Sequence, residues 1–171
     1  MALIVEDGTG LSNADSYISL VDARIYAAAY GYTLPADDTL AEVAIRQGTQ
    51  YIDMQESCFG GTRLTQTQSL AWPRLDAVNA YGFEIDSDSI PLQLGYASVA
   101  AAAEFGAGTD VRATDDGKSI ASEEVTGAVS VSYFNNGKTG GTVTITKALD
   151  ALKSLLVTCA NNGFEFRVGR G

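Results

Sequence analysis

The chain has 171 residues, 21 acidic against 11 basic side chains, a net charge of −10 and no histidine. This is about one domain's worth of chain, long enough to bury a core without metal or a disulfide framework. The absence of histidine removes the usual general base, the Ser-His and Cys-His nucleophile pairs and the commonest zinc ligand, so ordinary hydrolase chemistry is not expected.

The opening "MALIVEDGTG" meets acid and glycine after Met1 and four further apolar residues, too few for a secretory core, and no run of about 18 apolar residues follows. The expectation is synthesis in the cytoplasm and no membrane partner. Asn13 and Asp15 are N-cap types ahead of "SYISLVDARIYAAAYG", where Ile18, Val21, Ile25 and Ala28 fall at helical spacing and Gly31 supplies a stop. Thr39 and Glu42 read as a capping box for the next helix, whose apolar face runs through Leu40, Val43, Ala44, Gln47, Tyr51 and Met54. Gly48 costs that helix about 1 kcal/mol against alanine, which predicts a close helix crossing.

After "CFGGTRL" the only tryptophan stands in "SLAWPRL", where Pro73 disfavours a helical Trp72. The residues "RLDAVNAYGFEIDSDSIP" read as a long loop, which in a compact domain is either functional or pinned by side chains. Ile90 and Pro91 open a third helix with an alanine-rich face, on which Ala97, Ala100, Ala101 and Ala103 are candidate contacts to another subunit. From Lys118 the period changes to two, predicting a β-hairpin at about 119–134 around Thr126-Gly127. A last helix carries Ile145, Leu149, Leu152 and Leu156, with Thr144 or Thr146 as its cap, and the tail "ANNGFEFRVGRG" is extended. The fold expected is mainly α: a small bundle of about four helices with a β-hairpin, as one domain over 1–159 with a docking tail at 160–171.

Candidate chemistry is sparse. "DGTGLSNAD" superficially resembles a calcium loop but lacks the glycine and glutamate of the EF-hand pattern, and reads as a turn followed by a helix cap. The acids of "DSDS", Asp86 to Ser89, suit the positive end of the following helix. Cys58 and Cys159 are too few and too far apart for a disulfide framework or a CxxC zinc site, and read as two buried free thiols. No catalytic, cofactor-binding or metal-binding residue is assigned. Residues 1–116 hold 17 acids against 5 bases and residues 117–171 hold 4 against 6. Phosphate attraction therefore has the wrong sign over most of the chain, which predicts little affinity for DNA.

The stretches "MALIVEDGTGLSNADSYISL", "LAWPRLDAVNAYGFEIDSDSIP" and "KSIASEEVTGAVSVSYF" resemble the head-tail connector (adaptor) proteins of tailed bacteriophages, a family whose members often carry the label of DnaT-like single-stranded-DNA-binding proteins. The resemblance covers residues 1 to about 156. It implies a non-enzymatic virion protein at the head-tail junction: a homo-oligomeric ring of about twelve copies between the portal protein and a tail or stopper protein, with DNA passing through an acidic lumen without specific binding. Under that reading Trp72, Arg74, Phe164, Phe166, Arg167, Val168 and Arg170 are candidates for docking to portal or tail. The alternative is a single-stranded-DNA-binding protein of phage replication.

Overall fold

A computed structural model describes residues 2–108, the strands 122–125 and 129–132, and residues 144–159. Four α-helices stand among them: α1 (Leu20–Tyr30), α2 (Asp38–Asp53), α3 (Leu92–Gly106) and α4 (Thr146–Leu152). The chain divides into two compact units, one of residues 1–109 and 145–171 and one of residues 110–144, where the sequence suggested a single domain over 1–159. Within the second unit, β5 (Ser122–Val125) pairs antiparallel with β6 (Val129–Ser132), from Ser122 opposite Ser132 to Val125 opposite Val129. This is the expected hairpin, and the fold is the expected small helical protein. The tail 160–171 lies outside the described residues.

The caps differ from those read in the sequence. Ser19, not Asn13 or Asp15, caps α1, its hydroxyl accepting from the Asp22 amide at 3.1 Å. Asp15 instead takes Arg46 on α2 at 2.6 Å and the Ile4 amide at 2.7 Å, tying the N-terminal segment to the bundle. Asp37 caps α2 through the Leu40 amide at 3.0 Å, two residues before the proposed box at Thr39. Gly31 does end α1, in the left-handed region at φ 72°, where it donates to the Ala27 carbonyl. At α4 neither threonine caps: Ile145 holds the N-cap position, and its amide donates to the Tyr51 hydroxyl at 2.9 Å.

Helix α3 is the hub, packed against α2, α4 and α1. Ala97, Ala100, Ala101 and Ala102 are all buried within the unit, so these small side chains serve the chain's own helix contacts. The Gly48 crossing is as predicted: a Cβ there would lie 2.2 Å from the Ser98 carbonyl oxygen and 3.0 Å from the Ala102 amide, both backbone atoms of α3. Only glycine lets α2 and α3 approach this closely.

Two helical faces are rotated from the expected ones. On α2 the buried side is Ala41, Ala44, Ile45, Gly48, Thr49, Tyr51 and Ile52, while Leu40, Val43 and Met54 are exposed. On α1 only Ala23 and Ala27 are buried, and Val21 and Ile25 point outward, 68% and 64% exposed. Alanine on the inner face of α1 allows a short interhelical distance, which selects small residues over larger apolar ones. Among the described residues no helix is long and apolar enough to cross a membrane.

The long segment between α2 and α3 is pinned by side chains. It holds a 3₁₀ turn (Glu56–Cys58) and two short antiparallel pairs: β1 (Thr62–Arg63) with β2 (Arg74–Leu75), and β3 (Ala77–Val78) with β4 (Glu84–Ile85). Cys58 and Cys159 form a disulfide across a sequence separation of 101, which corrects the reading of two free thiols. The two cysteines meet because the turn after α4 crosses the 3₁₀ turn, where Thr158 donates its amide to the Cys58 carbonyl at 3.1 Å and its hydroxyl to the Ser57 carbonyl at 2.8 Å.

Candidate functional site

Two places concentrate unusual chemistry, and the first is the "SLAWPRL" stretch. Trp72 is 1% exposed, its ring meeting Phe59 edge-on at 5.8 Å, and a cis peptide joins it to Pro73. Arg74 is buried as well: Nε donates to the Gly60 carbonyl at 2.7 Å, Nη2 to Gly61 at 2.8 Å and Nη1 to Ala71 at 3.2 Å, with Glu56 at 3.5 Å. Glu56 is itself held in a two-pronged pair with Arg63, both bonds 2.6 Å, and that pairing keeps its carboxyl below the usual range. Trp72 and Arg74, candidates for docking in the sequence, are thus placed inside the chain as anchors of this loop.

Beside them lies a buried relay. The Tyr17 hydroxyl donates to Asp53 Oδ1 at 2.5 Å and accepts from the Trp72 amide at 3.2 Å, while the Ala71 amide donates to Asp53 Oδ2 at 3.2 Å. Burial, followed by the adjacent Asp53 charge, holds the Tyr17 hydroxyl well above its ordinary pKa. Burial also pushes the Asp53 carboxyl from 3.8 up to about 6, outweighing the two hydrogen bonds that favour its charged form.

The folded state therefore holds the Asp53 proton more tightly than the unfolded chain does. Its contribution to stability is fully present below about pH 4 and is lost as the pH rises through about 6. A shift from 3.8 to about 6 corresponds to up to about 3 kcal/mol. Urea unfolding from about pH 4 to about pH 8 should show wild type losing stability relative to Asp53→Asn by an amount of this order. Parallel pH profiles for the two proteins would show that Asp53 titrates normally.

The second place is an open groove of about 570 Å³ between α1 and α3. Its wall is aromatic: the Tyr26 ring stacks on Tyr96 at 4.1 Å and 3°, with Tyr30 at 4.4 Å from Tyr26. Ile25, Pro91 and Leu92 continue the apolar lining, and Ser19 and Asp22 supply its polar edge. Helix α1 builds this wall because Tyr26 and Tyr30 are four residues apart, and Leu92 and Tyr96 repeat that spacing on α3. Burial, reinforced by the neighbouring tyrosines, raises the Tyr26 pKa, so its hydroxyl stays neutral.

The remaining sequence candidates are dispersed. Ala97, Ala100 and Ala101 lie in the core, and Ala103 lines a separate groove of about 520 Å³ with Tyr32, Pro35 and Lys147. Phe164, Phe166, Arg167, Val168 and Arg170 lie outside the described residues. In the N-terminal loop, Asp7 accepts from the Thr9 amide and hydroxyl, and the buried Glu6 carboxylate accepts from the amides of Gly8, Gly10 and Leu11 at 2.9–3.1 Å. Its oxygens are spent on local turns. Sequence reasoning missed the tyrosine groove; the available signal was the pair of Tyr and apolar residues at four-residue spacing on α1, which reads equally well as a buried face.

A small helical protein with an aromatic groove is compatible with several binding roles, and comparison with known proteins narrows them. The chain belongs to the family described as "Putative DnaT-like ssDNA binding protein", whose model matches residues 1–171. No match is found among curated proteins or solved structures. The family finding overturns the head-tail connector function expected from the resemblance and favours the alternative, single-stranded-DNA binding. A net charge of −10 weakens phosphate attraction but leaves base stacking untouched, so it does not exclude single-strand binding.

Proposed function

We propose that this protein binds single-stranded DNA in a non-catalytic role. The observation that carries the reading is the family match across the whole chain. The side chains support a particular balance of forces. Arg24 pairs with Asp38, Arg46 with Asp15, Arg63 and Arg74 with Glu56, and Lys147 with Glu104. Using those five cations on phosphate would mean breaking existing ion pairs, so among the described residues contacts to bases are the more available source of affinity.

Fluorescence anisotropy with the full chain tests this. A labelled oligonucleotide of about 12 residues should bind in preference to its duplex, with a logarithmic salt slope shallower than about −2. No binding of single strands at about 1 mM protein, or equal binding of duplex, would overturn the proposal.

A further inference from the structure

Resting on that reading, we infer that the tyrosine groove between α1 and α3 is where unpaired nucleobases stack. Three features converge there. Tyr26 and Tyr96 already form a parallel stack at 4.1 Å and 3°, so their planes are fixed before a ligand arrives. Beside them Tyr30 is 67% exposed and Ile25 64%, which leaves an aromatic face and an aliphatic shelf open to solvent. The groove's volume of about 570 Å³ falls in the range of small-ligand sites.

The chemistry favours a base over a phosphate. The carboxylate within the groove is Asp22, one oxygen of which accepts from Ser19 at 2.6 Å. A phosphate would be repelled by it, whereas a base edge bearing an amino group would find an acceptor. Stacking on tyrosine tolerates any base, because every base has a π-face. It also discriminates against duplex, in which those faces are already covered by neighbouring bases. Exposed Leu92 extends the shelf on the α3 side. The exposed hairpin rings Tyr81 and Phe83 line no part of this groove and serve as a control.

The experiment is a comparison of oligonucleotide affinities by anisotropy, with circular dichroism to verify folding. Tyr30→Ala and Ile25→Glu change exposed side chains and should leave the fold intact. Tyr30→Ala should weaken binding by about 5- to 150-fold, the range for loss of one stacked base, and Ile25→Glu should weaken it further by adding charge. Tyr81→Ala removes an exposed ring outside the groove and should bind like wild type. The salt slope of Tyr30→Ala should match that of wild type, since that change alters no charge and removes no phosphate contact.

Wild-type binding that survives both Tyr30→Ala and Ile25→Glu unchanged would overturn the groove assignment while leaving single-strand binding in place. Absence of binding by wild type would instead overturn the function on which the assignment rests. Sedimentation adds a separate outcome: a wild-type dimer that Ile25→Glu converts to monomer, with DNA affinity unaltered, would show a second copy in the groove and sink the nucleobase reading.

Discussion

Reducing the Cys58–Cys159 disulfide should cost the protein about 3–5 kcal/mol and lower its melting temperature by roughly 10 °C. The magnitude follows from the span. A crosslink joining residues 101 apart removes more loop-closure freedom from the unfolded chain than a short-range one does, the gain growing with the logarithm of the span. At the crosslink itself only two hydrogen bonds from Thr158 to the 3₁₀ turn remain after reduction, at a position open to solvent, with the Ala80 amide held by the Ser154 carbonyl further along. Thermal unfolding followed by circular dichroism, with and without a phosphine reductant, gives the result directly, and Cys58→Ser with Cys159→Ser should reproduce it. An unchanged melting temperature, or two titratable thiols in the native oxidised protein, would show that the crosslink does not operate as described.

Trp72→Ala should destabilise the fold by about 3–5 kcal/mol, while Trp72→Phe should cost less than half as much. The side chain is almost wholly enclosed, and Phe59 together with the Tyr17–Asp53 relay depends on its position. Alanine would leave a cavity with no obvious way to collapse, because the loop on either side is fixed by Gln68, which bonds the Leu70 and Pro73 carbonyls, and by Arg74. Phenylalanine keeps most of the apolar contact. It also removes the indole N–H, a buried donor with no acceptor among the described residues, whose loss relieves a desolvation cost. Chemical denaturation monitored by far-ultraviolet circular dichroism suits both variants, since the sole tryptophan is lost as a fluorophore. Equal losses for alanine and phenylalanine would mean that the indole ring system, not its volume, holds the loop.

Local signals in the sequence were legible where one residue type has one dominant use. Gly31 as a helix stop, Gly48 as a crossing and Thr126-Gly127 between two alternating runs each led to the element seen. Caps were harder, because the N-terminal stretch offers Asn13, Asp15 and Ser19 within one turn or two and only the tertiary demand of Arg46 on Asp15 decides among them. The buried faces of α1 and α2 were misjudged for a related reason. Hydrophobicity ranks Val21, Ile25, Leu40 and Val43 above alanine, yet close helix packing selects Ala23, Ala27 and Ala41, with Ala44 and Tyr51 buried as expected. The disulfide was hidden by its separation of 101 residues, and the groove by being split between α1 and α3, so neither exists as a pattern along the chain.

Helix α3 meets its neighbours through alanines and through the Gly48 contact at Ser98 and Ala102, so space, more than hydrophobic strength, defines what it can hold. Substitution at the crossing is therefore sterically constrained. Enlargement at position 48 demands a retreat of the opposing backbone that no change at Ser98 or Ala102 can supply, because the obstructing atoms are main chain and belong to every residue type alike. Change is therefore closed at the crossing and open on the outward faces of α1 and α2, where Val21 and Leu40 meet mostly solvent. A family built on this frame can diverge widely at its surface while its helices keep a single spacing.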